Sequence, residues 1–132
     1  MYQRFEPIAG IAGVIIDAVM DSPDMPQDPA LLLKIRLAVE ESVENIVNYA
    51  YENGSGYLEA ATERSGSLLA ITLKDAGTPF NPLDREDPDI TLSAEERPIG
   101  GLGIFLCKKL MDSVEYEFVN GCNKLTIRKR IS

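Results

Sequence analysis

Two pairs of strand-like segments, each joined by a short turn, constrain the fold of this chain more than any other feature. The turns contain Ser-Gly and Asn-Gly, which are typical of tight β-hairpins. Strands joined in this way run in opposite directions, so a sheet built from two hairpins is mostly antiparallel. The paired segments are residues 57–64 with 67–75 around Ser65 and Gly66, and residues 114–119 with 124–131 around Asn120 and Gly121.

Three segments with helical spacing of apolar residues accompany the hairpins, at residues 8–20, 28–52 and 104–112. The second begins with Asp28 and Pro29, a favourable N-cap followed by proline in the first turn. The order of elements predicts an α+β fold, a two-layer sandwich with three helices on one face of a mixed, mostly antiparallel sheet. With 132 residues, we expect a single domain spanning residues 1–132.

Composition narrows the class of protein. Apolar residues make up 45% of the chain and the formal net charge is −8, which indicates a globular protein and argues against binding to nucleic acid or an anionic membrane. The apolar run at residues 8–20 is too short to span a membrane and lacks the basic start of a signal peptide. Cys107 and Cys122 form no CxxC pair, which favours reduced thiols and a cytoplasmic protein.

Polar residues on the second predicted helix form the first candidate site. Glu41, Asn45, Asn48 and Glu52 are spaced so that they line one side of the helix. A solvated helix surface is one explanation. The other is a polar pocket, in which an asparagine oxygen is a suitable ligand for Mg²⁺ shared with substrate phosphates.

A second candidate lies where a strand ends. Asp75, Gly77 and Pro79 are common turn residues and need no further explanation. Alternatively, the Asp75 carboxylate accepts a hydrogen bond from an amino group of a flat ligand, with a glycine clearing space beside it. Selectivity would then come from the cost of leaving a buried carboxylate unpaired.

Glycines at the start of the third helix are the third candidate. Gly100, Gly101 and Gly103 form a simple loop-to-helix turn, or they let an anion approach the free N–H groups of the helix. The pattern is neither a Walker loop nor a dinucleotide fingerprint. A lone GGxG is weak evidence.

Taken together, the three candidates resemble the N, G1 and G2 boxes of the GHKL ATPase superfamily. The chain is most similar to the branch of anti-sigma-factor serine kinases. The stretches that carry this resemblance are AVEESVENIVNYAY, LKDAGTPFNP, DPDITLSAEERPIGGLGIFLCKKLMDSVEY and NGCNKLTIRKRI, which together span nearly the whole chain.

This resemblance implies a Bergerat-type fold, with ATP and Mg²⁺ as cofactors and a role for each matching residue. Glu41 would be the general base, and Asn45 would hold the Mg²⁺. Asp75 would bind the adenine amino group, with Gly77 shaping the same pocket. Residues 76–99 would form an ATP lid. From the composition of this lid and the adjoining glycines, we predict that residues 82–99 are mobile without nucleotide and ordered by ATP. The remaining nucleotide contacts implied are the backbone of Gly100, Gly101, Leu102 and Gly103 at the phosphates, and Thr126 near the adenine.

Three functions remain open on this basis. One is a serine/threonine kinase that phosphorylates an anti-anti-sigma protein of the STAS type and sequesters a sigma factor, as a homodimer. Another is a binding module in which ATP or ADP only sets the conformation. The third is the ATP-binding half of a sensor kinase acting on a separate domain, because the chain has no histidine to phosphorylate. Two departures from the family pattern are Tyr49, where many relatives have histidine, and a short first strand.

Overall fold

The computed structural model describes residues 1–6, 10–49, 57–77 and 101–131, with only the backbone described for residues 48–49 and 101–104. Three helices and five strands form in these residues. Their order is β1 (Tyr2–Phe5), α1 (Ile11–Met20), α2 (Pro29–Tyr49), β2 (Leu58–Ser65), β3 (Leu68–Asp75), α3 (Gly101–Leu110), β4 (Ser113–Val119) and β5 (Cys122–Arg130).

The five strands form one sheet in the order β1-β2-β3-β5-β4, and all four strand pairings are antiparallel. The prediction of a mostly antiparallel sheet with three helices is therefore confirmed, and the described strands include no parallel pair. Apolar side chains of β2, β3 and β5 pack with those of the helices in a single core. One sheet face is thus covered by helices, and strand alternation sends every second side chain to the other face.

Helix α2 occupies the middle of the helical layer, since it packs against both α1 and α3. Its start follows the predicted signal: the side chain of Asp28 accepts a hydrogen bond from the backbone N–H of Ala30 at 3.2 Å. Buried residues Ile35, Val39 and Val43 recur every fourth position and face the core. This leaves the opposite side of α2 for polar residues.

Both predicted hairpins are present. Asn120 and Gly121 have φ of 54° and 77°, as a type I′ turn requires, and Val119 pairs with Cys122. In the first hairpin Ser65 pairs with Leu68, so the turn residues are Gly66 and Ser67, one position beyond those predicted.

The structure differs from the predicted order by one additional strand and by the residue at which the third helix begins. Strand β1 is absent from that order because Phe5 is its only buried residue, so no apolar alternation marks it. Helix α3 begins at Gly101 rather than residue 104, so two of the glycines lie within its first turn. Proline-rich residues 78–99 of the expected lid lie outside the described residues, and the lid stays a prediction.

Candidate functional site

Asp75 is the most deeply buried acidic residue that the structure describes. It ends β3 on the face covered by helices, opposite Leu58 on one side and Asn123 on the other. Only 2% of the residue is exposed. Its Oδ1 accepts hydrogen bonds from the backbone N–H of Gly77 at 3.0 Å and from Nδ2 of Asn123 at 2.9 Å.

The second oxygen of this carboxylate, Oδ2, accepts no hydrogen bond from the described residues. Burial raises the pKa of Asp75, while the hydrogen bonds from Asn123 and Gly77 act in the opposite direction. An unpaired oxygen on a buried carboxylate is costly unless a ligand donates to it. The amino group of a purine is a donor of the right kind, so the site fits an adenine nucleotide.

Asn123 was not among the residues predicted for the site, yet it holds the carboxylate of Asp75. It is buried in β5, and its Nδ2 also lies 3.4 Å from the carbonyl oxygen of Gly77. The sequence did contain a signal. Asn123 has the same parity as Leu125 and Ile127 along the strand, which places a polar amide on the apolar side of the sheet.

Glu41 and Asn45 lie one turn apart on α2, and both are half-buried. Burial is the largest cause that raises the pKa of Glu41, followed by the charges of Glu44 and Glu40. A carboxyl group with a raised pKa at the edge of a helix is suited to accept a proton from a hydroxyl group.

Asn45 offers one amide oxygen for a metal ion. The described residues contain no group of three acidic, cysteine or histidine side chains that would hold a metal on its own. Magnesium bound at Asn45 would therefore take its remaining ligands from phosphates and water, as Mg²⁺ commonly does. This residue set fits a metal that arrives with a nucleotide.

The glycine-containing helix α3 packs against α2 through Cys107, which lies next to Ala38 and Ser42 and close enough to Glu41 to feel its charge. The Cys107 thiol donates to the carbonyl oxygen of Ala38 at 3.3 Å and lies 3.4 Å from the hydroxyl of Ser42. That hydroxyl donates to the same carbonyl at 2.8 Å. Gly101, Leu102 and Gly103 begin α3, so their backbone is at the helix N-terminus as predicted, while Gly100 lies outside the described residues.

Of the predicted residues, the structure brings Gly77 into contact with Asp75, and it places Thr126 on the other face of the sheet. Thr126 pairs with Thr72 of β3 and Glu115 of β4, on the sheet face away from the helices. Asp75 lies two residues after Leu73 in β3, so both side chains are on the face covered by helices. The sheet therefore separates the side chains of Asp75 and Thr126.

Comparison with known proteins identifies the family and supports the fold. The family model for the histidine kinase-like ATPase domain matches residues 15–129. Among solved structures, the histidine kinase AdeS of Acinetobacter baumannii superposes with a TM-score of 0.58 over the whole of this chain and 68% of its own, at 14% identity. That likeness concerns the fold. None of the described helices has the length and apolar character needed to cross a membrane.

Curated relatives carry more specific names. An anti-sigma F factor of Clostridium kluyveri is 26% identical over 79% of this chain and 75% of its own length. Serine-protein kinase RsbW of Bacillus thuringiensis is 30% identical over 82% of this chain, which spans 64% of that kinase. Serine/threonine-protein kinase BtrW of Bordetella bronchiseptica is 24% identical over 74% of this chain and 69% of its own length. Since the family model covers most of the chain and the fold agrees with it, the chain belongs to the histidine kinase-like ATPase domain family.

Proposed function

We propose that this chain binds Mg-ATP and transfers its γ-phosphoryl group to a serine or threonine of a partner protein. The observation that carries the proposal is Glu41, a half-buried carboxyl group with a raised pKa, one turn before Asn45. Glu41 would accept the proton of the attacking hydroxyl, which requires a carboxylate within reach of that group. The similarity to proteins named serine kinases supports the same chemistry.

Each part of the site has a role in this reaction. Asp75 anchors the base of the nucleotide, and Asn45 holds the metal ion that neutralises charge on the phosphates. The N-terminus of α3 offers backbone N–H groups to the same phosphates, without a side chain in the way at Gly101 and Gly103. Phosphoryl transfer depends mainly on such positioning and charge stabilisation, so this small residue set is sufficient.

The regulatory setting that we propose is a partner switch. The chain would sequester a sigma factor and phosphorylate an anti-anti-sigma protein of the STAS type, working in the cytoplasm as a homodimer. Similarity to a protein named anti-sigma F factor supports this setting. The net charge of −8 argues for protein partners rather than direct contact with nucleic acid.

A phosphotransfer assay tests the proposal. Partners are first co-purified from the source organism, and each is then incubated with the chain, Mg²⁺ and γ-labelled ATP. We expect acid-stable label on serine or threonine of one partner, lost with Glu41→Gln but kept with Glu44→Gln, a matched change on the exposed side of the same helix.

Two results would contradict the kinase. If the wild-type chain holds ATP but labels no partner, the nucleotide only gates binding. If the label is acid-labile and sits on a histidine of another protein, the chain is instead the ATP-binding half of a sensor kinase.

A further inference from the structure

We propose that Tyr116 is a positioning residue which, through Asn123, makes Asp75 select purines with an amino group rather than an oxo group at position 6. This inference rests on the proposed nucleotide site. It adds to that site a residue of strand β4, and it identifies the group of the base that the site distinguishes.

A row of three hydrogen-bonded side chains crosses the sheet. The Tyr116 hydroxyl of β4 donates to Oδ1 of Asn123, and Nδ2 of Asn123 donates to Oδ1 of Asp75 at 2.9 Å. Strand register places them on one face, since Tyr116 pairs with Leu125, two residues along from Asn123. Both Asn123 and Asp75 are buried, so neither can exchange its partner for bulk water at low cost.

The direction of this row determines what Asp75 offers to a ligand. An amide has one donor end and one acceptor end, so a hydroxyl that donates to Oδ1 leaves Nδ2 pointing at Asp75. Oδ1 of Asp75 then accepts hydrogen bonds from Nδ2 of Asn123 and from the backbone N–H of Gly77. Oδ2 of the ionised carboxylate remains available to accept a hydrogen bond from a ligand. An amino group at purine position 6 completes this arrangement, whereas an oxo group places two acceptors against each other.

Without the Tyr116 hydroxyl, the amide of Asn123 can turn and offer Oδ1 to a protonated Asp75. The single carboxyl proton would then lie on Oδ1, shared with Asn123, and Oδ2 would become the oxygen of a neutral acid. That oxygen is a weaker acceptor for an amino group and repels an oxo group less. In this proposal Tyr116 does not contact the base. It stabilises the hydrogen-bond arrangement of Asn123 and Asp75 in which Asp75 accepts from an amino group.

Nucleotide binding by Tyr116→Phe tests the inference. Dissociation constants for Mg-ATP and Mg-ITP, which differ in the group at position 6, are measured by calorimetry for the wild-type chain and the variant. We expect ATP affinity to fall about threefold to tenfold and ITP affinity to change less, so that the ATP/ITP ratio narrows. Purine riboside triphosphate, which has no group at this position, should bind both proteins about equally.

Tyr57→Phe is the matched control. The Tyr57 hydroxyl contacts the Cys122 thiol at 3.4 Å, next to Asn123 in the chain but on the other face of the sheet. We expect this variant to keep the wild-type ATP/ITP ratio. It also reports any general effect of removing a tyrosine hydroxyl from the sheet.

A double-mutant comparison checks that Tyr116 acts through Asn123. In an Asn123→Ala background, Tyr116→Phe should change the ATP/ITP ratio no further. Asn123→Asp, which sets a second carboxyl group against Asp75, should narrow the ratio on its own and serves if Tyr116→Phe does not fold.

The inference is overturned if Tyr116→Phe keeps the wild-type ratio, or if it still narrows the ratio when Asn123 is alanine. A wild-type chain that binds no ATP would overturn the nucleotide site itself, and this inference with it. A wild-type chain that binds ATP with an unchanged variant ratio overturns only the role of Tyr116.

Discussion

Glu41 should make phosphotransfer by this chain depend on pH. Its pKa is raised, first by burial and then by the charges of Glu44 and Glu40. As the proposed general base, Glu41 must be ionised, so kcat/KM for phosphotransfer should fall as the pH drops through this raised pKa. Because Glu44 is exposed and contributes repulsion, Glu44→Gln should move the acidic limb of the profile to lower pH, by less than about one pH unit.

Two comparisons separate this effect from a general change in charge. Glu63→Gln removes another exposed carboxylate, on β2, and the pH profile of this variant should match that of the wild-type chain. Raising the salt concentration should shrink the shift caused by Glu44→Gln, since repulsion between partly exposed charges is screened. An acidic limb that stays in place in Glu44→Gln at low salt would mean that another group is titrating.

A site residue can be predicted from the sequence when a short local motif identifies it. Asp75 and Gly77 form a turn motif that is visible over three residues, and the structure places them in contact. The partner of Asp75 in β5 is 48 residues away, and only the strand register shows that the two are opposite. Thr126 matches the family motif, yet its parity along β5 puts it on the other face of the sheet.

The turn between β4 and β5 has a backbone conformation that favours glycine. Gly121 has φ of 77° and Gly13 lies within α1, and a methyl group added at either position would meet no atom within 4 Å. The two glycines therefore differ in backbone conformation and not in available space. Gly121→Ala should lower the free energy of unfolding by about 1–2 kcal/mol, while Gly13→Ala should raise it by about 1 kcal/mol.

Urea denaturation of both variants measures these changes. Gly121→Asn is the matched control, because asparagine tolerates positive φ and should lose less stability than alanine. If Gly121→Ala were as stable as the wild-type chain, the hairpin would have another turn conformation, and the register that aligns Asn123 with Asp75 would be in doubt.

The helices and strands differ in how accurately the sequence predicts them. Both hairpins and helix α2 combine periodicity with a marked end, as at Asp28 and Asn120, and were located within a few residues. Strand β1 has four residues with one buried side chain, and its position comes from pairing with β2. An edge strand of this kind is defined by its partner, which no local pattern reveals.

Asp75 links the site to the stability of the whole molecule. Burial raises its pKa above the ordinary value of 3.8, so the folded chain binds this proton more tightly than the unfolded chain does. The associated stability is fully present below the unfolded pKa and is lost as the pH rises through the folded pKa. Without nucleotide at neutral pH, Asp75→Asn should therefore be at least as stable as the wild-type chain.

Mg-ATP should reverse this order. A ligand that binds only the folded state stabilises it by about 2.7 kcal/mol at a concentration one hundred times its dissociation constant. The wild-type chain should show this gain, while Asp75→Asn removes the proposed acceptor for the adenine amino group and should gain much less. Urea denaturation at neutral pH, with and without Mg-ATP at one concentration, measures all four values.

Glu41→Ala completes the comparison, because it changes the proposed catalytic step and leaves the base pocket intact. Its stabilisation by Mg-ATP should stay close to that of the wild-type chain. If Glu41→Ala lost more of this stabilisation than Asp75→Asn, the nucleotide would be anchored at α2 rather than at the end of β3. The buried carboxylate is thus expected to lower the stability of the free chain at neutral pH and to make its stability depend on the nucleotide.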